Sequence, residues 1–124
     1  MPEPAAGRRY PRMARVNELL REVVADELEV LLDDDPRVAL LTVTAVEASP
    51  DLRAATVMLS SLPEGAADAL AEHRARLQAA IARQARLRRT PQLSFQADPA
   101  VARGQQIEDV LRRLHGGAVP DGDE

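Results

Sequence analysis

The stretch DPRVALLTVTAVEASPDLRAATVMLS, residues 35–60, decides the fold of this chain. Residues 38–48 are rich in β-branched side chains and alternate in polarity, which predicts a strand. The side chains predicted on one face are Leu41, Val43 and Ala45, and those on the other are Thr42 and Thr44. Residues 49–51, Ser-Pro-Asp, supply turn chemistry, and residues 55–60 alternate again as a second strand. Two strands joined by so short a turn predict an antiparallel hairpin.

Before the hairpin, apolar residues recur at steps of three and four, which indicates an amphipathic helix. They are Val16, Leu20, Val24, Leu28 and Leu31. Pro36 disfavours helical geometry at Asp35, and the three acids at 33–35 are unfavourable at the negative end of a helix dipole. The first helix should therefore end near Leu32.

After the hairpin, a second helical region is predicted. Ser61 and Glu64 have the spacing of a capping box. The apolar stripe that follows consists of Ala67, Leu70, Leu77, Ile81 and Ala85. Arg74 falls on the same stripe, which predicts a bend or break between His73 and Ala75.

Pro91 ends this helical region, and residues 93–97 alternate in polarity as a third strand. Asp98 is a predicted N-cap with Pro99 at the first helical position of a last helix that stops at Gly116. Its apolar side chains are Ile107, Val110, Leu111 and Leu114. The predicted order is helix, strand, strand, helix, helix, strand, helix. This order predicts an α+β two-layer sandwich with a three-stranded sheet packed on one face.

The composition favours a single soluble domain. The chain has 124 residues and no cysteine, which excludes disulfides, thiol nucleophiles and cysteine-ligated zinc. It lacks a long apolar run and an apolar leader segment, so we expect a cytoplasmic protein without a membrane span. We expect the folded domain at residues 12–114, between a flexible basic tail at residues 1–11 and a flexible acidic tail at residues 115–124.

The charge distribution is uneven. The net charge is −4, yet residues 74–89 contain six arginines and no acidic residue. Such segregation makes a dipolar molecule whose basic side can be steered toward an anionic partner, above all a nucleic acid. Every Lys or Arg position is an arginine, whose planar guanidinium can contact a phosphate through two hydrogen bonds.

The chain resembles the ribosome-binding factor A family, a family of bacterial small-subunit assembly factors. Residues 35–60, quoted above, are similar to that family's first strand, turn and second strand. Further similar stretches are RVNELLREVVADEL at residues 15–28, LRRTPQLSFQAD at residues 87–98, and Arg103-Gly104 followed by IEDVL at residues 107–111. The resemblance covers residues 12–114 with the four stretches in the same order.

The resemblance implies a type II KH-like fold of order α-β-β-α-α-β, which agrees with the order predicted from the residues. It also implies binding to the free small (30S) ribosomal subunit and its 16S rRNA, late maturation, processing of the rRNA 5′ end and importance for growth in the cold. It implies no enzymatic activity, and it implies release with the help of an assembly GTPase. We expect no cofactor and a monomer.

The chain departs from the usual patterns at the interhelical region. No GxxG loop, by which an ordinary KH domain holds single-stranded RNA, occurs here. The family usually has an Ala-x-Gly kink instead, and its three positions fall on His73, Arg74 and Ala75. Tyr10 and Phe95 are the only aromatic residues, so base stacking is disfavoured and readout of phosphates and RNA shape is predicted.

The candidate RNA-binding residues are arginines. They are Arg12, Arg15, Arg37, Arg53, Arg74, Arg76, Arg83, Arg86, Arg88 and Arg89. The alternative for residues 86–89 is that their charges complement the negative end of the preceding helix. For Arg37 and Arg53, a structural ion pair and an RNA contact are both open. Arg8 and Arg9 are expected in the solvated tail.

Other functions have weaker support. The acids at 33–35 are predicted to be a solvated helix terminus rather than a metal site, and no catalytic constellation includes His73 or His115. A nuclease is therefore disfavoured. The alternative function is a protein-interaction module that acts through the acidic first helix at residues 18–29.

Overall fold

The computed structural model describes residues 3–118 as four helices and a three-stranded sheet. The elements are α1 (Glu3–Leu32), a short 3₁₀ helix (Pro36–Val38), β1 (Val43–Ala48), β2 (Ala54–Leu59), α2 (Glu64–Glu72), α3 (Arg74–Gln84), β3 (Gln92–Ala97) and α4 (Pro99–Ala118). This order, α-β-β-α-α-β followed by a helix, is the type II KH-like arrangement and confirms the predicted fold class.

The sheet has the order β1-β2-β3. β1 and β2 form the predicted antiparallel hairpin, whereas β2 and β3 are parallel, with Ala54 opposite Gln92. The parallel pair requires a crossover, which α2 and α3 provide. Because β2 and β3 run in the same direction, the hairpin turn before β2 and the loop from α3 to β3 lie at the same end of the sheet.

The first strand is shorter than predicted. It begins at Val43 rather than Val38, because Asp35 and Pro36 start a 3₁₀ helix in which the Asp35 carboxylate accepts a hydrogen bond from the Arg37 backbone N–H. The predicted core-facing side is confirmed for Leu41 and Val43 but wrong for Ala45. A register shift between Val43 and Ala45 inserts an extra residue, so the buried positions of β1 are Val43 and Val46.

The core lies between the sheet and helices α1, α2 and α3. Its largest fully buried side chains include Leu20 and Leu31 of α1, Val57 and Leu59 of β2, Leu70 of α2, Leu77 and Ile81 of α3, and Leu93 of β3. On the opposite face of the sheet, Ser94 and Gln96 are exposed. The sheet is therefore packed on one face, as predicted.

The helical region after the hairpin is broken where Arg74 predicted a break. α2 ends at Glu72, α3 begins at Arg74, and His73 caps both with φ −98° and ψ 10°. The predicted capping box of Ser61 and Glu64 is wrong. Glu64 is itself the first helical residue, Pro63 is the N-cap, and no side chain caps this end.

The terminal helices extend beyond the predicted limits. α1 begins at Glu3 and α4 continues to Ala118, so the predicted stop at Gly116 is wrong. The flexibility of the two tails and the domain boundaries at residues 12 and 114 stay predictions, and residues 1–2 and 119–124 lie outside the described part. The Asp98 cap is confirmed, since its carboxylate accepts a 2.8 Å hydrogen bond from the Ala100 N–H.

The apolar stripe of α4 is exposed rather than packed on the sheet; its members are Ile107, Val110, Leu111 and Leu114. Within residues 3–118, no helix combines the length and apolar character needed to cross a membrane.

Candidate nucleic-acid interface

Arginines from three segments that are distant in sequence meet at the end of the sheet where strands β2 and β3 begin. The first segment is the N-terminal half of α1. The side-chain oxygen of Asn17 accepts a 3.0 Å hydrogen bond from the Ala48 N–H, which fixes α1 against the hairpin end of β1. Arg12 and Arg15 precede Asn17 by less than two helical turns and are exposed. They therefore lie near the hairpin turn.

The hairpin turn and the loop from α3 to β3 are the other two segments. The Gln92 N–H donates a 3.0 Å hydrogen bond to the carbonyl oxygen of Arg53, which holds the two segments side by side. The loop carries Arg86, Arg88 and Arg89, all exposed, and Arg83 lies in the last turn of α3 just before it. We call these seven residues the basic end; its members are Arg12, Arg15, Arg53, Arg83, Arg86, Arg88 and Arg89.

A cleft of about 740 Å³ opens at the basic end, between α1 and the hairpin turn. Arg12 and Arg88 lie on its rim, and Met13, Val16 and Leu52 provide apolar lining. Two guanidinium groups on the rim of one cleft can hold the phosphates of a nucleic-acid backbone.

Asp51 also lines this cleft and reduces its positive charge. The pKa of Asp51 is lowered, first by a hydrogen bond from the Ser49 hydroxyl, then by the Arg53 backbone N–H and by the charges of Arg53 and Arg89. Its carboxylate lies 3.4 Å from the Arg53 guanidinium, but both side chains are mostly exposed. Such a pair is weak, so Arg53 can leave Asp51 for a phosphate.

The hairpin turn has a fixed and unusual backbone. Leu52 has φ 60°, in the left-handed region, and its N–H donates a 2.9 Å hydrogen bond to the Ser49 carbonyl. The Ser49 hydroxyl in turn bonds the Asp51 carboxylate and the Ala54 backbone. Leu52 is only 9% exposed. The turn is therefore held by polar bonds on one side and an apolar anchor on the other.

Arg86 is the second residue with a left-handed backbone, at φ 54°. It follows Ala85, the last residue whose N–H continues the helical pattern of α3, bonding the Ile81 carbonyl. Glycine is common at this position after a helix because its lack of Cβ removes the strain. An exposed arginine there is unusual, and strained backbone of this kind is concentrated at functional sites.

Three of the ten candidate arginines lie at the opposite end of α3. Arg37 is bonded to both Asp35 and Glu72, with nitrogen–oxygen distances of 2.7 and 2.6 Å. Arg76 donates to Glu27 at 2.9 Å and lies 3.4 Å from Asp34. Arg74 is half-buried, and its Nε has no hydrogen-bond partner within the described residues. Among the described side chains, ion pairs neutralise Arg37 and Arg76 but do not involve the basic end except at Arg53.

The kink between α2 and α3 is built on Asp35, a 7% exposed carboxylate. Besides Arg37, it contacts Nε2 of His73 at 2.9 Å. Hydrogen bonds from Arg37 and then from His73 lower the pKa of Asp35, and bonding to Asp35 and then to Glu72 raises the pKa of Arg37. Bonding to Arg37 also lowers the pKa of Glu72. We call Asp35, Arg37, Glu72 and His73 the kink cluster.

The kink cluster contains three groups of the kind that bind metals. Ligand atoms of Asp35, Glu72 and His73 lie within 4.8 Å of one another. The guanidinium of Arg37 already bonds both carboxylates and offsets one of their two negative charges. The cluster therefore fixes the 3₁₀ helix to the kink.

The sequence identified the candidate arginines but did not show which of them form ion pairs within the protein. The kink cluster joins residues 35 and 72, which no local pattern connects. The sequence analysis also did not predict the contact of Asn17 with β1. Asn17 follows Val16 of the apolar stripe, and a polar side chain that is half-buried usually has a hydrogen-bond partner. The separation of free from paired arginines depends on these tertiary contacts.

Comparisons of the sequence with a family model and with individual proteins indicate the same family. The family model for Ribosome-binding factor A matches residues 12–111. A protein named Ribosome-binding factor A from Rubrobacter xylanophilus is 43% identical over 117 residues, which cover 90% of this chain and 92% of that protein. One of the same name from Leuconostoc mesenteroides is 39% identical over 110 residues, with 82% and 93% covered.

A crystal structure and a fitted homology model are also similar to this chain. The crystal structure of ribosome-binding factor A from Thermus thermophilus matches with a TM-score of 0.63 and 39% identity, over 68% of this chain and 94% of that one. A homology model of the Thermus thermophilus factor, fitted into a cryo-EM map of a 30S complex, matches with a TM-score of 0.54 and 41% identity, over 65% and 89%.

Proposed function

Because the chain belongs to the ribosome-binding factor A family, we propose that it binds the free small ribosomal subunit as an assembly factor. The family consists of ribosome-binding assembly factors and not of enzymes. The proposed role is in late maturation of the subunit, including processing of the 5′ end of 16S rRNA. This role places the protein in the cytoplasm.

This proposal rests mainly on one observation: arginines from separate segments of the chain come together at the basic end. Two separate elements, α1 and the loop before β3, place Arg12 and Arg88 on the rim of one cleft, with Arg53 and Arg89 around the turn beside it. A helix-dipole role would account for Arg83 and Arg86 but not for Arg12 and Arg15, which are far from any helix C-terminus in sequence. A common anionic partner accounts for all of them.

Docking on phosphates of folded rRNA is the mode that fits this surface. The chain has no GxxG loop for a single strand, and its one phenylalanine, Phe95, is half-buried against the core. Phosphate contacts fix position without reading sequence, and folded rRNA supplies the shape. If about five phosphates are neutralised, the logarithm of affinity should fall with the logarithm of salt with a slope of about −4.

Charge reversal tests the proposal directly. The triple variant Arg83→Glu, Arg86→Glu, Arg88→Glu should abolish co-sedimentation with purified immature small subunits. The matched control is Arg103→Glu, Arg112→Glu, Arg113→Glu, which makes the same charge change on α4. It should retain binding. Equal binding by the two triple variants, with both folded by circular dichroism, would contradict the proposal.

The biological role has a separate test. Depletion of the protein should cause precursor 16S rRNA with an unprocessed 5′ end to accumulate, most strongly in the cold. The family resemblance further suggests a monomer that an assembly GTPase releases. The acidic charges away from the basic end favour that release, since they repel rRNA outside the docking site.

A further inference from the structure

A leucine stands exposed at the pole opposite the basic end. Leu40, between the 3₁₀ helix and β1, is 81% exposed. Two clefts flank the short segment that carries it. One, of about 260 Å³, lies toward the end of α1 and includes Glu29 and Leu32. The other, of about 340 Å³, lies toward the start of α2 and includes Pro63 and Ala66. We call the two clefts and Leu40 the Leu40 surface.

Hydrogen bonds of the neighbouring residues fix the backbone that keeps Leu40 exposed. The Ala39 N–H donates a 3.1 Å hydrogen bond to the Pro36 carbonyl, and the Leu41 N–H donates one of 3.1 Å to the Val38 carbonyl. Val38 is buried and Leu41 packs against the core. The segment is thus fixed at both ends, and Leu40 cannot turn inward without breaking these contacts.

The rim of the Leu40 surface is acidic. Glu29 lines the first cleft, and Glu64 lies between Pro63 and Gly65 of the second. Both are exposed, and neither has an ion-pair partner among the described side chains. The two arginines in the clefts are already neutralised, Arg21 by Glu18 and Arg37 by the kink cluster. The surface therefore presents an apolar centre in a negative field.

We propose that the Leu40 surface binds a basic segment of a partner protein, with an apolar side chain of that segment packed beside Leu40. The acidic rim repels RNA phosphates but attracts arginines and lysines. The two clefts provide the apolar contact area that a charged rim alone lacks. The protein then has two docking surfaces, a basic one for RNA and an acidic one for protein, at opposite ends of α3.

The test uses a labelled synthetic peptide of alternating arginine and glycine around one central leucine. Titration into isotope-labelled protein should shift the amide NMR signals of residues 39–41 and 64–66. Leu40→Ser should weaken binding about tenfold, because the leucine contact is lost. The double variant Glu29→Gln, Glu64→Gln should weaken it and flatten its salt dependence. A peptide with serine in place of leucine should bind the wild type as weakly as the leucine peptide binds Leu40→Ser.

The matched control is Leu114→Ser, which removes an exposed leucine of α4 and should leave binding unchanged. The proposal is overturned if the peptide does not bind, if Leu40→Ser binds as the wild type does, or if an RNA duplex shifts the same signals. Concentration-dependent self-association that Leu40→Ser removes would also overturn it, since a second copy would then be the occupant. No ribosomal particle is needed, so the result is independent of the proposed rRNA docking.

Discussion

Arg12 and Arg88 line the same cleft, although one lies in the first helix and the other precedes the last strand. The relationship depends on two hydrogen bonds, one from the Ala48 N–H to the side-chain oxygen of Asn17 and one from the Gln92 N–H to the Arg53 carbonyl. The sheet therefore sets the spacing of these charges, and neither helix nor loop could do so alone. An exposed arginine at this end and a paired arginine at the other should behave differently toward RNA.

Arg88→Gln and Arg76→Gln should separate these two kinds of arginine. Arg88→Gln should reduce the magnitude of the salt slope for small-subunit binding by about one, because one phosphate contact is lost. Arg76→Gln should leave the slope unchanged, because Arg76 is already bonded to Glu27. Fluorescence titrations over a range of KCl concentrations would measure both slopes.

The control for this comparison is stability. Arg76→Gln should lower the free energy of unfolding, since it leaves the mostly buried Glu27 carboxylate without its partner. Arg88→Gln should change it by less than about 0.5 kcal/mol, as for most surface substitutions. If Arg76→Gln changed the salt slope and Arg88→Gln did not, the RNA contact would lie at the N-terminal end of α3. That result would contradict the proposed interface.

Arg86→Gly should separate the backbone of that residue from its charge. Glycine adopts φ 54° without strain, so the variant should be as stable as the wild type or up to about 1 kcal/mol more stable. Its affinity for the small subunit should still fall, because the guanidinium is lost. Urea unfolding and subunit binding, measured on the same preparation, would show the two opposite effects. Lower stability together with full binding would refute both assignments.

Asp35→Asn should change how stability depends on pH. The folded protein holds the pKa of Asp35 below its ordinary value of 3.8, through Arg37 and His73. The ionised carboxylate therefore stabilises the fold above about pH 4, and this stabilisation is lost as the pH falls through the lowered pKa of the folded state. The wild type should be more stable than Asp35→Asn at neutral pH, and the difference should shrink in acid.

Urea unfolding at a series of pH values would measure that difference. Asp33→Asn is the matched control, because Asp33 is exposed and has no ion-pair partner among the described side chains. It should change the free energy of unfolding by less than about 0.5 kcal/mol. A constant gap between wild type and Asp35→Asn from neutral pH to strong acid would rule out the ion pair as the source of stability.

The fold was predictable because local signals agreed with each other. The Ser-Pro-Asp turn, the alternation of β2 and the Asp98-Pro99 helix start each indicated the element that the structure contains. Arg74 on an apolar stripe correctly indicated the break at His73. Element limits were less predictable. The β1 register shift and the 3₁₀ helix at Pro36 depend on how the strand pairs and on the bonds of the Asp35 carboxylate, and neither leaves a periodic pattern.

The candidate site was predictable in composition but not in arrangement. The sequence contains a block of arginines, but Arg76 and Arg83 look equivalent in it, because their spacing puts them on nearly the same side of a helix. The acids that neutralise Arg76 and Arg37 come from residues 27, 34, 35 and 72. Apart from Asp35, which is two residues from Arg37, these acids lie 35 to 49 residues from the arginine that they contact. Only the fold could therefore show which arginines remain available.

Leu52→Gly should have the opposite effect on stability from Arg86→Gly, although both residues have a positive φ. Glycine would again relieve about 1 kcal/mol of strain at φ 60°. However, Leu52 is 9% exposed, and removal of its side chain loses about 2 to 3 kcal/mol of apolar burial. The loss exceeds the gain, so the variant should be destabilised by about 1 to 2 kcal/mol. Urea unfolding of both glycine variants would measure the change in the free energy of unfolding that each causes. Equal changes would mean that backbone strain, and not burial, controls the stability of both turns.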